Sequence, residues 1–299
     1  MGLKKQNPRL DCWVRLRFPS LTGRHIEEAI KTGLVYTSDG KQLKKGDRFA
    51  SDQDIDYSRL HAHLSMLKRG TAQLVVPIVF ETDAYLIVDK PAGIASHPLS
   101  LYDTETITHW ALARYPGIEA EFKTTQPIIT PHRLDNGTSG LLVVAKTSSA
   151  FHSWRLMFSR KEVKKKYLAW CWGQAESCEF SISTPIGHSP NDPARMVTVK
   201  NRARFRPPLQ QASSFVKVIR QDADRFLCEV SCETGVTHQV RVHLASVGFP
   251  LLGDQTYDPV WMKRGEIQRY HQLRAFELTC GQQTWSAPVA EFISSHIKT

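Results

Sequence analysis

The sequence predicts an α+β protein: a largely antiparallel mixed β-sheet flanked by helices, preceded by a small N-terminal α/β accessory region. Three observations carry that prediction. From Leu74 onward, short apolar runs and helical stretches follow one another without the strict alternation of a doubly wound fold. Residues 1–72 have a different, basic texture and read as a unit separate from 73–299. The chain has 299 residues, 41% hydrophobic and 23% charged, enough for one large domain and a small companion.

In chain order, a helical pattern starts after Leu21-Thr22-Gly23, runs through His25-Ile26-Glu27-Glu28-Ala29-Ile30-Lys31 and ends at Gly33 as its C-cap. Leu34-Val35-Tyr36, a Ser38-Asp39-Gly40 turn and residues 41–49 read as a hairpin. A helix beside a lysine-bearing hairpin suits RNA phosphates, and a solvated edge of the main domain suits it equally. Leu74-Val75-Val76 and Tyr85-Leu86-Ile87-Val88 read as buried strands. Residues 106–115 read as a helix, Leu141-Leu142-Val143-Val144-Ala145 as a strand, and 150–163 as a second helix. Tyr167-Leu168-Ala169-Trp170-Cys171-Trp172 and Phe226-Leu227-Cys228-Glu229-Val230 complete the strands that the pattern shows. Trp110, Trp154 and Trp170 stand at apolar positions and are assigned to the core.

A formal net charge of +10 and a pI near 9.4 favour a polyanionic partner, most commonly nucleic acid. The six cysteines, Cys12, Cys171, Cys178, Cys228, Cys232 and Cys280, form no C-x-x-C pair and no zinc-spaced cluster, so no metal is expected. Cys228 and Cys232 read as packed thiols. Met1-Gly2-Leu3-Lys4-Lys5-Gln6 has no apolar run behind its lysines, hence no secretory signal. No stretch is long and apolar enough to span a bilayer. A cytoplasmic protein with reduced thiols is expected, in which the Asn136-Gly137-Thr138 sequon is accidental.

The most informative stretch is His132-Arg133-Leu134-Asp135-Asn136-Gly137-Thr138-Ser139-Gly140. It reads as the polar end of a strand, an Asn-Gly turn and a tight Thr-Ser-Gly corner. In extended backbone Arg133 and Asp135 share one face while Leu134 anchors the other. An acid held on a loop beside a buried strand is where catalytic groups are often placed. Two such residues alone more commonly tie down a turn.

Taken whole, the string resembles the H-R-L-D-x-x-T-S-G hallmark of the RluA family of RNA pseudouridine synthases, matched at every specified position. Lys90-Pro91-Ala92-Gly93-Ile94 with His97-Pro98 is similar to the family's Lys-Pro-x-Gly segment, and Lys165-Lys166-Tyr167 to its K-x-Y strand start. A fourth match runs through Gly235-Val236-Thr237-His238-Gln239-Val240-Arg241-Val242-His243-Leu244 and on to Gly253-Asp254. The four lie in the family's order across roughly residues 74–292.

The resemblance implies a pseudouridine synthase-like catalytic domain that isomerises specific uridines of structured RNA, ribosomal or transfer, without metal, nucleotide or flavin. Asp135 would be the essential aspartate, Tyr167 would lie against the flipped uracil and join in proton transfer, and Arg241 would pair with Asp135. Arg133 would extrude the target nucleotide or fill its place. Thr138, Lys90, Lys165, Lys166 and His238 would bind substrate; so would His132 and Gln239, which also suit the orientation of their own loops. A monomer is expected. The chemistry explains these residue types. The C1′–N1 bond breaks and the base rejoins through C5, work for a carboxylate acting as nucleophile or base. Burial opposes carboxylate ionisation and a guanidinium restores it. Flipping the base costs roughly a few kcal/mol, which an aromatic surface partly offsets.

Two features depart from the family. Val236 stands where an Arg is usual, and Tyr36-Thr37-Ser38-Asp39-Gly40 replaces the Val-Asn-Gly turn of the small RNA-binding module. Residues 159–166 form a basic run abutting Tyr167, which suits RNA backbone contact. Arg195, Lys200, Arg202, Arg204 and Arg206 form a second cluster around Pro207-Pro208, either a solvated face or a loop that closes on RNA. His243 and His271 read as core or edge residues. A kinase-like reading of His132-Arg133 fails for want of a Gly-rich phosphate loop and an Asp-Phe-Gly. A non-catalytic RNA-binding protein remains an alternative, although Asp135 and Tyr167 are both present. A nucleoside or glycoside hydrolase would need a second carboxylate, with Asp89 and Asp254 as the motif-adjacent candidates.

Overall fold

The computed structural model describes residues 7–19, 21–67, 74–122, 128–192, 194–199, 204–264 and 268–295. The N-terminal unit is built on amphipathic spacing. Helix α1 (Leu10–Arg17) buries Leu10 and Val14; α2 (Gly23–Lys31) buries His25, Ile26, Ala29 and Ile30, the stripe that a 3.6-residue period presents to a core. Thr22 caps α2, its hydroxyl accepting from His25 N at 3.2 Å. Strand β1 (Tyr36–Thr37) pairs antiparallel with β2 (Ile55–Asp56), and α3 (Ser58–Leu67) follows. The hairpin expected over 34–49 shrinks to one bridge, Tyr36 to Gln42. The return still buries Leu43, but β1 takes its strand partner from the segment that carries the buried Ile55. These elements share one apolar core, into which Leu101 of the following segment inserts.

The remaining elements are β3 (Ile78–Glu81), β4 (Tyr85–Lys90), α4 (Ile107–Arg114), α5 (Gly117–Phe122), β5 (Ser139–Ala145), α6 (Ser148–Ser159), β6 (Val163–Trp172) and β7 (Glu179–Ile182). They continue with β8 (Ile186–His188), β9 (Met196–Thr198), β10 (Arg206–Gln210), β11 (Ser214–Gln221), β12 (Arg225–Cys232), α7 (Gln239–Ser246), β13 (Leu273–Cys280), β14 (Gln283–Ser286) and α8 (Ala290–Ser294). A nine-stranded sheet runs β3-β4-β5-β13-β6-β12-β11-β7, with β14 on β13. Its pairings are antiparallel except β5 with β13, which is parallel. The predicted class, α+β with a mixed, mostly antiparallel sheet, is the fold observed.

Strand alternation divides the core between the two faces of the sheet. Leu142 and Val144 of β5 pack with Leu86, Val88 and the α4 side chains Ile107 and Trp110. Leu141 and Val143 face the other way, against Trp154 of α6 and Trp285. Each such aliphatic side chain contributes about 1.5–3 kcal/mol of transfer free energy. Trp110, Trp154 and Trp170 are all buried, as are Cys228 and Cys232.

Two predicted boundaries move. Residues 74–76 are not a strand and Val75 is 80% exposed; Pro77 lacks an N–H for the ladder, and β3 starts after it. The helix expected over 150–163 stops at Ser159 because Lys161 takes a left-handed φ of 60°, after which Val163 opens β6. A separate three-stranded sheet, β10-β8-β9, forms a flap beside the main sheet. It carries Arg206, with Arg195 and Arg204 on its connections, while Lys200 and Arg202 lie outside the described residues.

Candidate active-site cleft

Asp135 opens the turn that feeds the chain into β5, with Thr138 N donating to Asp135 O at 3.0 Å. Ser96 Oγ accepts from Leu134 N and donates to Leu134 O, both at 3.1 Å, which holds Leu134 in the core. Arg133 and Asp135 on either side then line the cleft. Lys90, at the end of β4 and wholly buried, donates to Pro91 O (2.9 Å), Ile94 O (2.7 Å) and Asn136 O (3.2 Å). Burial brings its pKa down to about 7 against the pull of Asp135 and Asp89. The Thr-Ser-Gly corner has a steric reason. Gly140 has φ 113°, and a Cβ there would lie 2.1 Å from Ala275 O of β13.

The cleft measures about 610 Å3. Its floor is an ion network in which Arg241, on the buried helix α7, gives Nη1 to Asp135 Oδ2 at 3.1 Å. The same guanidinium clasps Asp254 through Nε and Nη2, both at 2.9 Å. Burial opposes the charge on Arg241, yet the bonds and charges of Asp254 and Asp135 outweigh it and raise its pKa. Burial likewise opposes the Asp254 carboxylate, and Arg241 reverses that to a lowered pKa. Asp135 therefore has a counter-charge that is itself fixed from behind. Tyr257 lies under Arg241, ring centroid 5.0 Å from Cζ. Its hydroxyl accepts from Met196 N of the flap at 2.9 Å and meets His238 Nδ1 at 2.8 Å. One oxygen thus ties the flap backbone to the His238 ring. His238 Nε2 stands 3.9 Å from Asp135 Oδ1. Burial lowers the His238 pKa despite Asp135, so the ring is neutral near pH 7.

The structure brings most of the predicted site residues to this cleft: His132, Arg133, Asp135, Thr138, Lys165, Tyr167, His238, Gln239 and Arg241 all line it. Several do so as supports. His132 Nε2 accepts from Val143 N at 3.0 Å and its ring lies 4.5 Å from that of Phe158, with burial taking its pKa down to about 3. Buried Thr138 bonds His271 Nε2 at 2.8 Å. Gln239 accepts from Thr234 Oγ1 and Val236 N and donates to Ser213 O, so it braces its own loop. Lys165 Nζ donates to Thr234 O at 3.0 Å. Two assignments are corrected. Lys90 is sealed behind the Asp135 turn and does not line the cleft. Lys166 points to the opposite face of β6 from Lys165 and Tyr167, where it pairs with Glu277 and Glu229 at 3.1 and 3.6 Å. Asp254 entered the sequence argument only as a motif end and a hydrolase candidate, and Tyr257, three residues beyond the motif, not at all. Val236 is buried with Ile186, Met196 and Tyr257, so it anchors the flap by apolar packing. His243 is a core residue, bonded to Ser214 Oγ and Thr184 O.

Residues 84–246 match the family described as RNA pseudouridylate synthase. An RNA pseudouridine synthase of Chlorobaculum parvum is 30% identical over 262 residues, 85% of this chain and 76% of that protein. The ribosomal large subunit pseudouridine synthase D of Neisseria meningitidis serogroup A is 31% identical over 250 residues, 83% of this chain and 63% of that one. In fold, the chain is similar to human RNA pseudouridylate synthase domain containing 1, with a TM-score of 0.59, 24% identity and coverage of 72% and 83% of the two chains. The chain belongs to the RNA pseudouridylate synthase family, in its RluA-type branch. It is accordingly an isomerase that modifies RNA. Among the described residues no helix is long and apolar enough to cross a membrane.

Proposed function

We propose that this synthase converts specific uridines of structured RNA, ribosomal or transfer, to pseudouridine, with Asp135 acting on a uridine flipped into the cleft. The observation that carries this reading is the Asp135 carboxylate, fixed by Arg241 in a cleft walled by Tyr167 and edged by Arg155, Lys161 and Lys165. The reaction exchanges one bond for another: C1′–N1 breaks, C1′–C5 forms, C5 gives up a proton and N1 gains one. Asp135 is the nucleophile or base, already oriented and paired. Burial, reinforced by Cys232 and Asp135, raises the pKa of Tyr167, so it meets the uracil as a neutral phenol that stacks and donates. Arg133, exposed between cleft and surface, takes the place of the extruded base.

Cationic side chains at the cleft edge hold RNA phosphates, which makes affinity fall steeply with salt. Residues 1–72 act as an RNA-binding accessory region to the catalytic 73–299, and the protein works as a cytoplasmic monomer. The name of the Neisseria relative makes ribosomal RNA the first substrate class to test. The hydrolase alternative loses its second carboxylates, since Asp254 is clasped by Arg241 and Asp89 pairs with Arg274 at 2.6 Å.

The test uses cellular RNA tritiated at uridine C5, from cells lacking the gene. Wild type is expected to release tritium to water, and Asp135→Ala to release none while keeping salt-sensitive RNA binding. No release from either protein, with RNA binding intact, would establish the non-catalytic alternative.

A further inference from the structure

The Asp135 cleft adjoins a second hollow, of about 440 Å3, and the two meet at four side chains that line both: Arg133, Asp135, His238 and Arg241. Its further walls include Gln255 and Thr256, just beyond Asp254, and the segment Arg269-Tyr270 ahead of β13. The hollow is reachable from solvent, since Arg133, Gln255, Thr256 and Arg269 are all exposed. The sequence motifs stop short of Arg269, and the catalytic reading leaves it without a duty.

The backbone that carries Arg269 is held at close quarters. A Cβ on Gly93 would lie 2.3 Å from the Tyr270 hydroxyl, and one on Gly253 would lie 2.6 Å from Tyr270 O. Two motif glycines thus make the seat on which this segment rests. The same Tyr270 carbonyl accepts from Gln272 Nε2 at 2.9 Å, and the next residue, buried His271, is bonded to Thr138. The Arg269 guanidinium stands 5.2 Å from the Tyr270 ring centroid. An exposed cation is therefore presented from a fixed base.

Three guanidinium groups, of Arg133, Arg241 and Arg269, line the hollow against one carboxylate, Asp135. Arg241 is committed to Asp135 and Asp254. Arg133 and Arg269 have no ion pair among the described residues. An exposed guanidinium without a carboxylate suits an anion, and its planar fork matches the oxygens of a phosphodiester. In the cleft itself the cations Arg155 and Lys161 are exposed as well. Cations thus stand in both hollows with Asp135 between them, the distribution that a polyanionic strand laid across the carboxylate requires. A lone small anion would need them on one side only.

We propose that Arg269 binds the backbone phosphate of a nucleotide neighbouring the target uridine. The RNA strand then crosses Asp135 from Arg155 and Lys161 in the cleft to Arg269 in the second hollow. The inference rests on the RNA-modifying reading above and adds to it the course of the strand on leaving the cleft.

Tritium release is measured over a series of salt concentrations, with C5-tritiated RNA from cells lacking the gene. Arg269→Gln should raise KM about tenfold with kcat unchanged. It should also lower the slope of log KM against log salt by about 0.7 to 1, as loss of one phosphate contact does. Arg269→Lys, which keeps the charge, should restore the slope. Lys263→Gln removes an exposed charge earlier in the same connection but outside the hollow, and should leave KM and slope unchanged. Equal effects from the Arg269 and Lys263 variants overturn the proposal, because they would report net charge alone. Wild-type release with KM and slope unmoved by Arg269→Gln overturns it too, and leaves the catalytic reading intact. Inhibition by millimolar inorganic phosphate that Arg269→Gln abolishes, with KM for RNA unmoved, would assign the hollow to a free anion instead. If wild type releases no tritium, the same series is run as RNA retention on filters. A slope lowered by Arg269→Gln alone would then sink the catalytic reading and keep the phosphate site, because binding needs no turnover.

Discussion

The Tyr257 hydroxyl joins the backbone of the flap to the ring that faces the Asp135 carboxylate. Removing that one oxygen leaves Met196 N without its acceptor and His238 Nδ1 without its partner. Tyr257→Phe should therefore lower kcat by about ten- to a hundredfold through misplacement of the groups around Asp135. The stability cost should be only about 1–2 kcal/mol. Steady-state tritium release beside urea unfolding separates the two effects, and an unchanged kcat would show that His238 needs no such fixing. At this scale the motifs located the cleft but not each side chain's duty. Lys165 and Lys166 are neighbours in one motif, yet strand alternation sends them to opposite faces of β6. Lys90, expected from the resemblance to bind substrate, proves to be a clamp on backbone carbonyls, because burial is decided by segments far away in the chain.

The elements that carry the site are held by close backbone contact as well as by apolar packing. β5 and β13 meet in parallel register at Ser139 and Gly140, where there is no room for a Cβ. Gly140→Ala should cost about 3 kcal/mol or more, combining backbone strain with overpacking. Gly248, also at positive φ but with open space around it, is the control, and its alanine variant should lose only about 1 kcal/mol. Equal losses in denaturant unfolding would mean that φ alone matters at Gly140. Legibility among the elements follows local pattern. Strands with continuous apolar runs, such as Leu141 to Ala145 within β5 and Tyr167 to Trp172 within β6, are plain in the sequence. Helices α1 and α3 are not, because each offers a short stripe, Leu10 with Val14 and Leu60 with Leu64, set among charged and polar residues. The strand β13 carries no strong local signal either, since its place is set by partners more than a hundred residues upstream.

Across the whole molecule, buried neutral histidines tie stability to pH. His132, His97 and His271 are held near 3, 4 and 4 by burial, against an ordinary 6.5. Between those values the unfolded chain binds protons that the folded chain refuses, so stability should fall as pH drops from about 6.5 toward 4. His271 alone accounts for about 3 kcal/mol of that loss. Urea unfolding from pH 7 to pH 4 measures the slope, and His271→Gln should flatten it; an unchanged slope would assign the acid sensitivity to other groups. The order of the sheet has a consequence for when the enzyme works. β13 occupies the slot between β5 and β6, so the strand leading from Asp135 and the strand bearing Tyr167 are joined by a late segment. A growing polypeptide short of Leu273 contains all four motifs and no finished cleft. A chain ending before Leu273 is therefore expected to release no tritium, however complete its motifs.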